Sequence, residues 1–351
     1  MGNISLSGLA LFVSGIFMYS CSSVNSEEMV NDSLLKAAID TPLENSGGIA
    51  SPPPVYPSNF DTALYNQKME YMVNGDSSGK WPANTPYPLA GAILPYKRVI
   101  AYYGNLYSTR MGILGELPKP QMFAKLKEEI AKWEKADPQT PVQPALHYIA
   151  VTAQGDPGKN GKYRLRMPFT QIDKVMAMAD EINAIVFLDI QVGLGTLQEE
   201  VPEFVEYLKK PNVHLGIDPE FSMKGGEKPG AVIGSFNAND INYTINYLSK
   251  LVKENNLPPK ILVVHRFTQP MVKDYKAIKA TPEVQVVMHM DGWGEPAKKI
   301  GTYKHFIYSE PVQFTGFKLF YKNDLKMAPN RLLTPDELVK LKPAPLYIQY
   351  Q

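Results

Sequence analysis

The chain has 351 residues, 44% of them hydrophobic, and a formal net charge of +1 without a long basic or acidic run. Such a length suits one large α/β domain with an appendage, and the charge balance argues against nucleic acid as a partner, since phosphates call for a basic surface. A single cysteine, Cys21, excludes an intramolecular disulfide.

At the N-terminus, Leu9 to Met18 is a short apolar run followed by Tyr19-Ser20-Cys21-Ser22-Ser23. The run is too short to span a bilayer and has the character of a secretory signal core. The small residue before Cys21 resembles a bacterial lipobox, although no Lys or Arg precedes the run and Tyr19 is bulky for that motif. Residues 1–20 are therefore expected to be a lipoprotein-type signal peptide. Cys21 is then the lipidated residue of an exported protein anchored at the outer membrane or cell surface. Residues 21–90 read as a solvated tether rich in Ser, Asn, Glu and Pro, with Ser51-Pro52-Pro53-Pro54 favouring an extended backbone and a short helix over Asp61–Val73.

From residue 91 onward, extended and helical patterns alternate. Expected strands are Arg98–Tyr103, Ala145–Thr152, Ala184–Ile190, Val213–Asp218, Lys260–His265, Val284–Met290, Phe314–Tyr321 and Leu346–Tyr350. Helical periodicity appears at Pro120–Trp133, Phe169–Ile182, Thr196–Leu208 and Asn239–Val252, and Thr334-Pro335-Asp336-Glu337 is a helix start. Eight strands joined by helices imply a parallel sheet, and eight close a (β/α)8 TIM barrel. An open doubly wound sheet is the alternative, but it would leave the last strand as a bare edge. Residues 91–351 are thus read as a barrel domain.

The strands end in polar residues that share one side of the pleat. Asp189 with Gln191, Asp218 with Glu220, and His289 with Asp291 project in pairs, because side chains alternate along a strand. His265 and Lys318 end two further strands. Carboxylates at the ends of oily strands are costly without partners or a task. Active sites of such barrels sit at the C-terminal ends of the strands. In Asp218-Pro219-Glu220, proline ends the ladder and lets Glu220 lean over the mouth. Glu220 is the candidate acid or nucleophile, with Asp218, Asp291 and Asp189 as supporting carboxylates. Tyr102, Tyr103, Gln191, His265, His289, Trp293, Lys318, Tyr321 and Gln349 are candidates for lining the site and binding substrate. Trp293, between Gly292 and Gly294, is either a stacking platform for a sugar ring or a plug for the barrel end. Lys318 suits an ion pair better than a Schiff base, given so many carboxylates nearby. Two histidines with Asp291 and Glu220 would also suit Zn²⁺ or Mn²⁺, yet no local ligand signature appears, so no cofactor is expected and a divalent metal is the alternative.

These residues carry a resemblance. Tyr102-Tyr103-Gly104, Leu188-Asp189-Ile190-Gln191, Gly216-Ile217-Asp218-Pro219-Glu220, His265-Arg266-Phe267, His289-Met290-Asp291-Gly292 and Phe317-Lys318 look like the motifs of a family of uncharacterised secreted or lipid-anchored bacterial TIM-barrel proteins. That resemblance implies export and a fold but no reaction. Val99-Ile100-Ala101-Tyr102-Tyr103 and the Asp218/Glu220 spacing are more distantly similar to family-18 chitinase-like barrels. The acidic series expected upstream is replaced by Val213, His214 and Gly216.

Three functions follow as expectations. The first is a glycosidase-like hydrolase acting on a glycan through Glu220. The second is a non-catalytic barrel binding a carbohydrate or cell-wall ligand. The third is a metal-dependent hydrolase built on His265, His289, Asp291 and Glu220. In each the protein is expected to be a monomer.

Overall fold

The computed structural model describes residues 60–351; the expected signal, Cys21 and the first part of the expected tether lie outside them. Eight strands form a closed, all-parallel barrel: β1 (Arg98–Gly104), β2 (Val142–Ala153), β3 (Ile185–Ile190), β4 (Val213–Ile217), β5 (Lys260–Arg266), β6 (Val284–Met290), β7 (Phe314–Leu319) and β8 (Tyr347–Tyr350). Closure comes from β8, which pairs with β7 (Lys318 opposite Gln349) and with β1 (Ala101 opposite Gln349). No edge strand is left, and the open-sheet alternative falls. A short strand, Arg164–Arg166, runs antiparallel to the end of β2.

Strand alternation divides the core in two. Outward residues such as Ile100, Leu146, Leu188, Leu215, Val264 and Met288 pack against the helices. Around the barrel run α1 (Thr62–Val73), α2 (Lys119–Ala136), α3 (Phe169–Glu181), α4 (Leu197–Glu200), α5 (Ala238–Asn255), α6 (Pro296–Thr302) and α7 (Pro335–Leu338). In α2, Leu126 and Trp133 face the sheet, and Trp133 Nε1 donates to Tyr350 Oη at 2.9 Å. Helix α5 begins with a capping box, Asn237 and Asp240 each accepting from the other's backbone N–H. The single helix expected over Thr196–Leu208 is instead three pieces, with a 3-10 turn at Val201–Phe204 between two short α turns. Pro202 accounts for the break, since it has no N–H for the ladder and its ring crowds the preceding turn.

Most inward residues of the lower half are apolar: Val99, Ala101, Ala145, Phe187, Val263 and Val287 form one cluster with Tyr65, Met69, Met72, Trp81 and Leu94, while His214 and Gln285 are the polar members of this layer. Residues 60–97 therefore close the N-terminal end of the barrel rather than continuing a tether. Gln285 on β6 holds this strap, its Oε1 accepting from the Ile93 and Leu94 N–H groups and its Nε2 donating to the Leu94 carbonyl at 2.6 Å. With the floor filled and largely apolar, the charged inward residues lie in the C-terminal half.

Candidate functional site

The C-terminal half of the barrel holds one continuous polar network. Tyr103 Oη (β1) donates to Asp189 Oδ2 (β3) at 2.8 Å. The other oxygen of Asp189, Oδ1, lies 3.3 Å from both His147 Nε2 (β2) and His265 Nε2 (β5). His265 Nδ1 reaches Asp291 Oδ2 at 2.8 Å, and Asp291 Oδ1 reaches Lys318 Nζ (β7) at 2.8 Å. Lys318 Nζ also sits 4.0 Å from the centroid of the Tyr103 ring, closing the circuit with a cation–π contact. Below, His147 Nδ1 meets Tyr347 Oη at 2.5 Å and Gln349 Nε2 at 3.1 Å. His289 stands edge-on to His265 and Tyr347, with neither ring nitrogen hydrogen-bonded among the described residues. Four of the protein's five histidines, His147, His214, His265 and His289, are buried on barrel strands.

Two glycines make this crowding feasible. Gly216 faces inward from β4, and a Cβ there would lie 2.4 Å from both Asp189 Oδ1 and His147 Nε2. Gly316 on β7 is its counterpart, where a Cβ would lie 2.5 Å from His289 Nδ1. Any larger residue would push the imidazoles off their positions.

The solvent edge of the network is set by exposure: Glu220 and Asp291 retain 9% each, whereas His147, Asp189, His265 and His289 have none. Asp218 fixes the Glu220 backbone, its Oδ1 accepting from the Glu220 N–H at 3.0 Å, while Gln191 Nε2 meets Asp218 Oδ2 at 3.4 Å. Among the described residues no hydrogen bond or ion pair engages the carboxyl oxygens of Glu220, whereas Asp189, Asp218, Asp291, Asp137, Glu200, Glu283 and Asp324 all have such partners. Two surface depressions elsewhere, beside Ser249 on α5 and beside Tyr275, contain none of these residues.

Burial and neighbouring charge separate the carboxyl groups. Burial, reinforced by Asp218 and Asp291, pushes Glu220 up to about 8. Burial likewise raises Asp218 to about 7, with His265 opposing and Asp189 and Asp291 adding to the rise. Burial acts on Asp291 and Asp189 in the same sense but is overcome. Lys318 and His265 hold Asp291 below the usual carboxylate range, and His265 and His147 hold Asp189 well below it. Burial would discharge His265, but Asp189 and Asp291 on either side push it up to about 10. His147 is lowered to about 4 and His289 well below its ordinary value, both chiefly by burial. The result is a carboxyl, Glu220, that keeps its proton near neutral pH beside an ionised Asp291, with Asp218 between them at about 7, the separation that lets one site run acid and base chemistry.

Of the residues expected from sequence, Asp189, Gln191, Asp218, Glu220, His265, His289, Asp291, Lys318, Tyr103 and Gln349 come together in or beside this network. Tyr102 and Tyr321 do not. Tyr102 faces the helix layer, its hydroxyl 3.0 Å from that of Tyr321, which also contacts Glu129 of α2. Strand β7 ends at Leu319, two residues short of Tyr321, so alternation no longer directs Tyr321 inward. Trp293 is partly exposed in the loop after β6, with Lys298 Nζ 5.1 Å from its ring centroid. Asp324 ties that loop to the one after β7, accepting from the Gly294 and Phe320 N–H groups and pairing with Lys299 at 2.6 Å. Sequence reasoning missed His147, Tyr347, Gly216 and Gly316. His147 had a usable signal: a histidine two residues into an unbroken apolar strand, on the same face as Ala145.

Two sets of three side chains, His147, Asp189 and His265, and His265, His289 and Asp291, bring ligand atoms within 4.8 Å of one another, close enough to hold a metal ion. In a comparison with known proteins, no family model and no curated protein matches the chain.

Proposed function

We propose that the protein is a hydrolase acting on a glycan, with Glu220 as proton donor to the leaving oxygen and Asp291 as the ionised carboxylate facing the developing positive charge. One observation carries the reading: Glu220 is a nearly buried carboxyl at the C-terminal mouth of a (β/α)8 barrel, without a hydrogen-bond or ion-pair partner among the described residues and raised to about 8. A carboxyl kept neutral near pH 7 and left unengaged by the protein is available to give its proton to a ligand. Asp218 acts as a positioning residue through the Glu220 backbone, and Lys318 with His265 keeps Asp291 charged. Trp293, partly exposed after β6, offers an aromatic edge to a sugar. The reading takes with it the export, the Cys21 anchor and the monomeric state expected from sequence.

The test is turnover of a panel of aryl glycosides and polysaccharides by the full chain and by Glu220→Gln. Turnover should fall by about 10²–10⁴-fold in the variant, the range general acids contribute, while substrate affinity stays. Wild-type activity should decline as pH rises through about 8, where Glu220 loses its proton. Binding without turnover in both proteins would favour the carbohydrate-binding barrel. Turnover unaffected by the substitution would refute Glu220 as the acid. A metal-dependent hydrolase on His265, His289, Asp291 and Glu220 is less well supported. His265 Nδ1 and both Asp291 oxygens are already engaged with one another and with Lys318.

A further inference from the structure

We infer that the barrel axis carries a site for a first-row divalent metal of the Zn²⁺ type, formed by His147 Nε2, Asp189 Oδ1 and His265 Nε2. This inference does not depend on Glu220 acting as an acid. All three atoms belong to side chains with no solvent exposure, and all three lack a hydrogen-bond partner among the described residues. Two imidazole nitrogens crowded on one carboxylate oxygen without hydrogen-bond geometry in a dry interior are costly unless something binds them.

The spacing fits a shared ion better than direct hydrogen bonds. Each imidazole Nε2 stands 3.3 Å from Asp189 Oδ1 without hydrogen-bond geometry. Two ligand atoms each about 2.1 Å from one metal, subtending roughly 90–110°, lie about 3.0–3.4 Å apart. The remaining polar atom of each ligand is already held. Asp189 Oδ2 accepts from Tyr103 Oη, His265 Nδ1 meets Asp291 Oδ2, and His147 Nδ1 meets Tyr347 Oη. Metal binding would displace the Nε2 protons, while His265 stays held through Nδ1 on Asp291 Oδ2 and His147 through Nδ1, which Tyr347 Oη and Gln349 Nε2 contact. Gly216 supports the arrangement from β4, because any side chain there would occupy the space of Asp189 Oδ1 and His147 Nε2. In the competing set, His265, His289 and Asp291, the carboxylate is already taken: Asp291 Oδ2 meets His265 Nδ1 and Oδ1 pairs with Lys318 Nζ, so an ion there would have to displace the ammonium. Two imidazoles and one carboxylate suit a borderline metal rather than Mg²⁺ or Ca²⁺, which prefer all-oxygen shells.

The experiment strips the full chain with a chelator, reloads it with Zn²⁺, Co²⁺ or Mg²⁺, removes free metal and measures metal content alongside circular dichroism. Expected are one equivalent of Zn²⁺ or Co²⁺ per chain, a visible ligand-field band with Co²⁺, and no retention of Mg²⁺. His147→Gln and Asp189→Asn should retain less than a tenth of an equivalent, and Tyr103→Phe should bind about 10–100-fold more weakly, as second-shell changes do. Glu220→Gln and His289→Gln should keep the full equivalent. A folded wild-type chain with no metal above background and no Co²⁺ band would overturn the inference whether or not the variants fold. So would retention by His147→Gln with loss in His289→Gln.

Discussion

Gly216→Ala probes the packing on which the whole polar network rests. The added methyl would be placed 2.4 Å from Asp189 Oδ1 and from His147 Nε2, and 2.7 Å from His147 Cε1, well inside any real contact. Neither neighbour can swing away cheaply, because Asp189 is held by Tyr103 and His147 by Tyr347 and Gln349. Overpacking of a close-packed interior costs about 1–3 kcal/mol, and loosening a buried charged pair adds to it, so about 2–4 kcal/mol is expected. At roughly 2–4 °C per kcal/mol for a domain of this size, the melting midpoint should fall by on the order of 10 °C. Gly301→Ala is the matched control. That residue lies in α6 with nothing within 4 Å of the new methyl, and it should gain about 0.4–1 kcal/mol by restricting the unfolded chain. Thermal melts of the two variants beside wild type decide the matter. If Gly216→Ala melts with wild type, the interior has slack that the distances deny, and the argument for a tightly positioned His–Asp cluster fails.

The pH dependence of stability follows from Glu220. Its folded value, about 8, lies above its ordinary 4.5, so the folded state holds a proton that the unfolded chain releases. That contribution is complete below about 4.5 and is lost as pH rises through about 8. Glu220→Gln, always neutral, should therefore be more stable than wild type at pH 8.5 by denaturant titration; equal stability would contradict the raised value. Asp324→Asn should destabilise by about 3–5 kcal/mol, because Lys299 would remain buried without its counter-charge; urea unfolding measures it. Gln285→Ala removes three hydrogen bonds to the strap at Ile93 and Leu94. It should cost about 2–3 kcal/mol at roughly 1 kcal/mol per bond, and protease cleavage within residues 60–97 should speed up measurably.

Much of this architecture was legible along the chain. Largely apolar runs such as Ile185–Ile190 and Val284–Met290 mark strands covered on both faces, and period-two alternation put Asp189 and His289 on the inner side. Alternation is a local property of extended backbone, so it survives without knowledge of neighbours. It fails where extended backbone stops: Tyr321 lies past the end of β7, and Glu220 sits in a 3-10 turn after β4, brought to the mouth by the turn and not by the pleat. Within β1, alternation itself sends Tyr102 to the helix side, opposite Tyr103. Residues 74–90 looked like a tether because their composition is loop-like, and docking of Trp81, beside Tyr65 and Met69 of the expected short helix, onto the barrel floor makes the segment structural.

What the linear order determined is the repeating strand–helix unit and the side of the pleat taken by strand residues such as Asp189, His265, His289 and Lys318, since both depend on bonds and neighbours within a few positions. Ring closure decided the rest. It put His147 against Asp189 and His265, turned the strand residues Gly216 and Gly316 into clearance for imidazoles, and left Glu220 without a hydrogen-bond partner for its carboxyl among the described residues. Those outcomes depend on the register between distant strands and on the burial that shifts each proton affinity, and neither quantity exists until the barrel has closed.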